Sequence, residues 1–427
     1  MVSQWNASAT ACKTSSKLFE PFDIKTFDDL SEKYKSLSAE DKGKYKSMDD
    51  YVVQHDGPEL SNLNRSYIKL VNEVNSRLMS TRLPERLPID LLIQKDAVLD
   101  LLASLENENY IKEVYKTKKH KVKDGLNTTE AICLMDCIKQ GRSLFHAGAC
   151  ADTIAKPLIE FYAACAYAYA IIVINSPLHK SIKTLKGSHG HTYNHSSGAI
   201  EFGGDIPSGT FLDLVCALST AQIRNDSINI KYSLLPSIDM IQRNSISISL
   251  MALLSMVPEL NGYYTQVDTS HHLVHKLSVD AGIVNSKATY NFYIGDGINK
   301  PDKEKLEKAF HVTNISENQG SYQFSVPSEE ISTIMPCVYH DLRGQLWYIE
   351  SPIEGMVLPE LCLHFLIISA LCNIMRYSPP EWSKILSNKI SSQFSLLISK
   401  YLRLFELKYP ILVSELVTNF SPIITDK

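Results

Sequence analysis

The chain has 427 residues, of which 44% are hydrophobic and 21% are charged. This length and composition indicate a globular protein of two or three domains with a sizeable core. The formal net charge of -4 excludes a protein-wide positive field, so contact with nucleic acid or an anionic membrane would need a local basic patch.

Cysteine usage and the N-terminal segment bear on the cellular compartment. The nine cysteines lie mostly within apolar runs, which is typical of buried thiols in a reducing compartment. The first residues have no basic segment followed by an apolar one, so no secretory signal is visible. We therefore expect a cytoplasmic protein.

The N-terminal part of the chain is rich in charge. Leu30, Tyr34 and Leu37 recur at helical spacing, and Ser38 is followed three residues later by Asp41, a pattern typical of a helix start. A leucine-rich amphipathic helix is predicted over 83–108. Residues 1–110 are thus interpreted as a charged helical region that precedes a second domain over 111–427.

The most basic patch of the chain follows, over residues 112–125. Its lysines are Lys112, Lys116, Lys118, Lys119, Lys121 and Lys123. Two interpretations are open: a solvated strand or hairpin, and a nucleic-acid-binding surface in which the lysines contact phosphates.

Residues 128–178 are predicted to be wholly helical, with a break before Pro157. The second helix, LIEFYAACAYAYAIIVIN over 158–175, is long enough to span a membrane. It carries Glu160 and lacks the Leu-rich, Lys/Arg-flanked character of an inserted segment. We expect a buried helix and no membrane contact.

Arg142 and His146 lie one helical turn apart in GRSLFHAG and would face the same way. The pair resembles the Arg and His of HEPN ribonucleases, in which a dimer brings such residues together to activate a ribose hydroxyl. Only three residues separate Arg142 from His146, fewer than in HEPN proteins. A catalytic pair and a structural arginine that caps a neighbouring helix both stay open.

A loop rich in Gly, His and Ser is predicted over 187–209, and it carries His189, His191 and His195. Closely spaced imidazoles on an extended loop can converge on one divalent metal, and the HHLVH run at 271–275 could complete such a site. The alternative is a loop held by histidines that bond backbone carbonyls. No other cofactor is predicted.

After this loop, the hydrophobic residues change from helical to alternating spacing and later return to helical spacing. An apolar helix, TFLDLVCALSTA, follows the loop, and alternating residues between about 285 and 350 predict a small antiparallel sheet or hairpins, with a turn at His340 to Gly344. From Pro359 onward the pattern is helical, and the last segment, 391–417, is interpreted as an amphipathic pair of helices.

Residues 359–386, PELCLHFLIISALCNIMRYSPPEWSKIL, predict a helix corner. The apolar residues cover nearly all faces of the first helix, which is therefore buried, and Pro379 forbids its continuation. Arg376 and Tyr377 fall in its last turn, where a cation meets the negative end of the helix dipole. Trp382, just inside the next helix, can pack back. These three residues are given a structural role.

The same corner resembles that of the bacterial YaaC-like family, in which an apolar helix ends in an Arg-Tyr, Pro, Glu-Trp pattern. Three other segments are similar to the family in the expected order: 141–173, the Ser-His-Gly of 188–190, and LKYPILVSELV at 407–417. The resemblance spans about residues 130–417. It implies a mainly helical protein and brings no established reaction.

The fold class predicted is therefore mainly α (α+β), with several helices and a small antiparallel sheet. No nucleotide-binding loop, nucleophile elbow or metalloprotease motif occurs in the sequence. A well-formed core without catalytic motifs favours a non-enzymatic interaction component with a protein partner, and a homodimer is expected. The competing hypotheses are a nucleic-acid-acting effector, such as a toxin or phage-defence protein, and a metal-dependent hydrolase at the histidine loop.

Overall fold

A computed structural model of the chain defines the fold. It describes residues 33–44, 85–90, 94–118, 125–176, 181–185, 187–202, 209–225, 228–243, 246–267, 273–284, 287–295, 300–318, 320–418 and 420–425. By compactness the chain divides into two units, residues 1–77 with 282–288, and residues 78–281 with 289–427.

In the first unit the structure describes helical residues 33–36 and the short helix α1 (Ala39–Lys42). The Ser38 hydroxyl accepts a hydrogen bond from the Asp41 backbone N–H at 3.1 Å and donates one to the Asp41 carboxylate at 2.8 Å. The helix start predicted at Ser38 is thereby confirmed. Leu30 lies outside the described residues.

The second unit is built mainly of helices. Their bounds are α2 (Gln94–Ser104), α3 (Glu108–Lys118), α4 (Thr128–Cys150), α5 (Lys156–Asn175), α6 (Thr210–Ala217), α7 (Leu235–Arg243), α8 (Leu250–Ser255), α9 (Asn261–Tyr264), α10 (Lys303–Phe310), α11 (Glu360–Tyr377), α12 (Pro379–Leu386) and α13 (Ser392–Val417). The predicted helices over 128–178, at 210–217 and from Pro359 onward are confirmed.

Within the described residues, the strands form four sheets of two to six strands. Their bounds are β1 (Glu85–Asp90), β2 (Thr192–Asn194), β3 (Ala199–Phe202), β4 (Thr220–Arg224), β5 (Asn229–Ser233), β6 (Ile246–Ser249), β7 (Val274–Val284), β8 (Lys287–Ile294), β9 (Ser316–Asn318), β10 (Ser321–Pro327), β11 (Cys337–His340), β12 (Leu346–Ile349) and β13 (Phe420–Thr425). The sheet orders are β11-β12-β7-β8-β10-β9, β2-β3-β6, β4-β5 and β1-β13.

The mainly helical α+β class is therefore confirmed, and most of the β structure predicted at 285–350 lies in the six-stranded sheet. The β11–β12 hairpin pairs Cys337 with Ile349 and His340 with Leu346, with the predicted turn between them. The sheet begins earlier than expected, at Val274, and the other three sheets were not anticipated.

The core is centred on α5 and α11, which pack against each other and on α13. Alanines and aromatic rings alternate along α5, so that helices can approach closely: Gly141 of α4 lies against the Tyr167 ring, and a Cβ there would come within 2.8 Å of it. Both α5 and α11 are long and apolar enough to cross a membrane, but 78% of each apolar window is buried inside the structure. That burial fits the predicted core helix.

The burial predicted for the cysteines holds for part of them. Those the structure describes are free: Cys133, Cys137, Cys150, Cys165, Cys216, Cys337, Cys362 and Cys372. The last three and Cys165 are buried, whereas Cys150 is exposed. Burial raises the pKa of Cys137 and of Cys337 to about 11, which keeps both thiols protonated at neutral pH.

Two helical predictions near the chain ends are wrong. Part of the helix expected over 83–108 is the strand β1, which pairs in parallel with β13, so that Leu87 lies opposite Pro422 and Ile89 opposite Ile424. Pro88 disfavours a helix, and the strand's partner is distant in sequence. The terminal pair of helices is instead the single helix α13, which continues through Pro410 while packing on α2, α5 and α11.

Two further segments differ from the sequence-based expectation. Residues 112–118, predicted as a strand or hairpin, complete helix α3, whose buried face carries Ile111, Val114 and Tyr115. The predicted loop over 187–209 contains the β2–β3 hairpin, in which Thr192 pairs with Glu201 and β3 continues the sheet to β6. In both cases burial against neighbouring elements decides the local structure.

Candidate functional site

The end of α11 meets the Ser-His-Gly loop and the β2–β3 hairpin at one surface. We call it the corner surface and define it by His189, Tyr193, His195, Arg376 and Tyr377. The loop and the hairpin are neighbours in sequence, whereas the end of α11 is far from both. Each segment contains residues on which the family resemblance rests or lies next to them.

The helix corner itself is firmly anchored. Trp382 is buried, and its indole N–H donates to the Ile154 carbonyl at 3.0 Å, which ties α12 to the turn between α4 and α5. Arg376 lies over the Tyr377 ring, with its guanidinium carbon 4.9 Å from the ring centroid. Tyr377 remains 62% exposed. Trp382 is thus buried at the corner, whereas Arg376 and Tyr377 are exposed.

A close approach of two glycines fixes the Ser-His-Gly loop. Gly190 has φ +80° and Gly209 has φ +152°, and a Cβ added to Gly209 would lie 2.5 Å from the Gly190 backbone nitrogen. The Ser188 and His189 carbonyls accept hydrogen bonds from the N–H groups of Thr210 and Phe211, at 2.8 Å and 3.0 Å. The loop therefore caps the start of α6.

His191 fastens this loop to α11. Its Nδ1 lies 3.2 Å from the His189 carbonyl, and its Nε2 lies 2.8 Å from the Ser369 hydroxyl. Because a carbonyl can only accept, Nδ1 carries the proton and Nε2 accepts from Ser369. Burial, followed by the influence of His189, lowers the pKa of His191 to about 4. The ring is therefore neutral, and both nitrogens are engaged.

His189 and His195 reach the surface on either side of this anchor. The His189 ring meets the Phe161 ring edge-on, with centroids 5.1 Å apart. Burial, and then the charge of Arg376, lower the pKa of His189. His195 Nδ1 lies 3.1 Å from the Ser378 hydroxyl, and its ring is nearly perpendicular to those of Tyr193 and Tyr377.

A metal site is predicted at His189, His191 and His195. In the structure each of the three side chains contacts a different residue. In the described parts of the chain, no group of three or more His, Cys, Asp or Glu residues is arranged to hold a metal ion. His271 and His272 lie outside the described residues. His275 is buried, 3.7 Å from a Glu350 oxygen. The arrangement favours the alternative of histidines that hold the loop.

The pair of Ser378 and His195 places a hydroxyl next to a base. A serine nucleophile also needs donors for the developing oxyanion. Helix α12 begins with Pro379 and Pro380, which have no N–H, and the next two N–H groups donate to the Ser378 carbonyl. This helix start offers no free backbone donor, so the pair orients the His195 ring and is poorly suited to acyl transfer.

Arg142 and His146 lie on α4, as predicted, but have different surroundings. Arg142 Nε donates to Glu106 Oε1 at 2.7 Å, so the guanidinium links α4 to the turn between α2 and α3. That hydrogen bond raises the pKa of Arg142. His146 is exposed. Arg142 thus forms a side-chain ion pair between α4 and this turn, which differs from the predicted cap of a neighbouring helix.

The basic patch is only partly described. Lys112 pairs with Glu108 at 2.6 Å, and Lys118 donates to the Glu415 carbonyl at 3.0 Å. Burial lowers the pKa of Lys118 to about 8. Lys116 is exposed. The other three lysines, Lys119, Lys121 and Lys123, lie outside the described residues.

A buried charge cluster was missed by the sequence-based analysis. Lys408 on α13 is 4% exposed and lies 2.6 Å from Glu259 and 2.5 Å from Glu360. Burial opposes its charge, but the two carboxylates raise the pKa of Lys408. Burial also raises the pKa of Glu360, with a further contribution from Glu259. The sequence feature that could have indicated this cluster is Lys408 itself, a lysine within the mostly apolar segment 404–413.

The sequence agrees with one known family. A family model described as YaaC-like Protein matches residues 101–417, slightly more than the 130–417 over which the resemblance was recognised. The match includes the corner surface and the buried charge cluster. No curated protein and no solved structure matches the chain.

Proposed function

The chain belongs to the YaaC-like protein family, and on that premise we propose that it is a non-enzymatic interaction component of a cytoplasmic bacterial complex. Its recognition surface for a protein partner is the corner surface. The observation that carries the proposal is the convergence there of two segments distant in sequence, residues 189–195 and the end of α11, through the contacts of His191 with Ser369 and of His195 with Ser378. The Phe161 ring on α5 supports this loop from below through its contact with His189.

The composition of the surface supports recognition of a protein. Exposed Tyr and Arg side chains are the residue types that dominate binding energy at protein interfaces. Tyr377 exposes most of its ring, yet it is held by the stacked Arg376 and by contact with His195. A rigid surface loses little conformational entropy when a partner binds.

A comparative purification tests the proposal. Tagged wild-type protein, the double variant Arg376→Ala/Tyr377→Ala and the control variant Leu396→Ala are purified from the source cells at low salt, and co-purifying proteins are quantified by mass spectrometry. Leu396 is an exposed apolar residue on α13. We expect a stoichiometric partner with wild type and the control that the double variant loses. No partner with wild type, or one retained by the double variant, would overturn the proposal.

A nucleic-acid-acting effector is the second candidate. The observation in its favour is the exposed His146, one helical turn from Arg142. The ion pair of Arg142 with Glu106 weakens it, because that guanidinium already has a partner. Toxin or HEPN-like ribonuclease activity belongs to this candidate, whereas a role in phage defence is compatible with both candidates.

A further inference from the structure

We propose that the corner surface binds a segment of the partner protein that presents a carboxylate to Arg376, with an apolar or aromatic side chain beside it on Tyr377. This inference rests on the proposed function and specifies the partner's chemistry. It is argued from the surroundings of Arg376, from the exposed ring of Tyr377, and from the position of Glu381.

Arg376 is oriented but not neutralised. Its guanidinium is stacked on Tyr377, and its side chain contacts Cys372. Among the described residues, no carboxylate forms an ion pair with it. Arg142 and Lys156, by contrast, form ion pairs with Glu106 and Glu406. A guanidinium held over an aromatic ring keeps N–H groups available for the fork-like hydrogen bonds that a carboxylate accepts.

The neighbours of Arg376 suit the same ligand. Its charge lowers the pKa of His189, after the larger effect of burial, so His189 is held neutral and can donate a hydrogen bond without adding charge. The exposed Tyr377 ring provides apolar area next to the guanidinium. The Arg376 cation and the neutral His189 donor can bind a carboxylate, and the exposed Tyr377 ring can pack against an apolar or aromatic side chain beside it.

Glu381 favours a protein over a nucleic acid as the occupant. It is exposed on the first turn of α12, and it lies close enough to Tyr193 to raise the pKa of that phenol, after the larger effect of burial. A strand of phosphates carries a negative charge at every nucleotide and would meet this carboxylate. A peptide can place one carboxylate on Arg376 and a neutral or basic residue opposite Glu381.

Selection from a displayed library of random peptides tests the inference. The full-length wild-type protein should enrich peptides that contain Asp or Glu next to an apolar or aromatic residue. The charge-reversed variant Arg376→Glu should instead enrich Lys or Arg at that position. For a synthetic peptide of the wild-type consensus, we expect binding about tenfold weaker with Arg376→Lys, which keeps the charge but loses the planar fork.

Arg403→Gln is the matched control, because Arg403 is an exposed arginine on α13, and this variant should select the same peptides as wild type. Enriched peptides without acidic residues, or acidic peptides that bind Arg376→Glu equally well, would overturn the inference. A labelled single-stranded RNA that binds wild type and not Arg376→Glu, with no acidic peptide enriched, would also overturn it in favour of nucleic acid.

The two proposals can fail separately. If the co-purifying partner is lost on the Arg376→Ala/Tyr377→Ala change while the selected peptides carry no acidic residue, the corner surface is an interface and the carboxylate inference is wrong. If wild type yields no partner while acidic peptides bind through Arg376, the proposed function is wrong and the ligand class stands.

Discussion

His191 Nε2 lies 2.8 Å from the Ser369 hydroxyl, in a pocket walled by Phe202, Phe211 and Phe365. This bond joins the Ser-His-Gly loop to the middle of α11, well inside the core. The exposed His189 and His195 are thus carried on a backbone that the buried His191 holds in place. Both ring nitrogens of His191 are engaged in contacts, and His191 thereby positions His189 and His195.

Replacing His191 by Phe is expected to destabilise the protein by about 1–3 kcal/mol at neutral pH, because the Ser369 hydroxyl loses its acceptor and the His189 carbonyl keeps only the Phe211 N–H. The pKa of His191 is lowered to about 4, so its contribution is present above its ordinary pKa and is lost as pH falls toward 4. Urea denaturation between pH 7 and 4.5 should show a steeper loss for wild type than for His191→Phe. Parallel curves would contradict this prediction.

Gly209→Ala should disrupt the loop that carries the histidines. The new Cβ would lie 2.5 Å from the Gly190 nitrogen and 2.8 Å from the Ser188 carbonyl oxygen, at a φ of +152°, and we expect a loss on the order of 2–4 kcal/mol. Gly187→Ala is the control, because a Cβ there meets nothing within 4 Å. Thermal melts of both variants measure the difference, and equal melting temperatures would refute the packing described for this turn.

Sequence patterns located the elements whose periodicity is local. The helix corner was identified because an apolar run ends at Arg376 and is followed by Pro379, and the turn after His340 was identified from alternation and glycine. The strand β1 is not predicted because its partner, β13, lies at the other end of the chain. The local sequence around Leu87 contains no pattern that indicates this pairing. The convergence of His189 with Arg376 was missed for the same reason, since tertiary packing brings them together.

Lys408→Met should be among the most destabilising substitutions in the chain. It would leave Glu259 and the buried Glu360 without their shared cation, so that either a charge stays unpaired or Glu360 must take up a proton, with an expected loss of roughly 3–5 kcal/mol. The triple variant Lys408→Met/Glu259→Gln/Glu360→Gln removes the charges together and should recover much of that loss. Chemical denaturation at pH 7 measures both. A triple variant as unstable as the single one would show that lost packing, and not unpaired charge, is the cause.

Glu360→Gln should change how stability depends on pH. Burial raises the pKa of Glu360 to about 7 from an ordinary 4.5, so the stability it contributes is fully present below the ordinary pKa and is lost as pH rises through 7. Relative to Glu360→Gln, wild type should therefore lose roughly 1–3 kcal/mol between pH 5 and pH 8. Glu354→Gln, an exposed carboxylate change, is the control. A constant difference across this range would contradict the assignment.

Incubation of the purified protein with labelled total RNA and DNA, with and without divalent metal, separates the interaction component from the nucleic-acid-acting effector. We expect both nucleic acids to stay intact, because Arg142 is engaged by Glu106 and cannot stabilise a phosphorane while that ion pair persists. His146→Ala should behave as wild type, and so should Lys116→Gln, which removes an exposed lysine of the basic patch. Cleavage by wild type that His146→Ala abolishes would instead make α4 part of a catalytic site and Arg142 the next residue to replace.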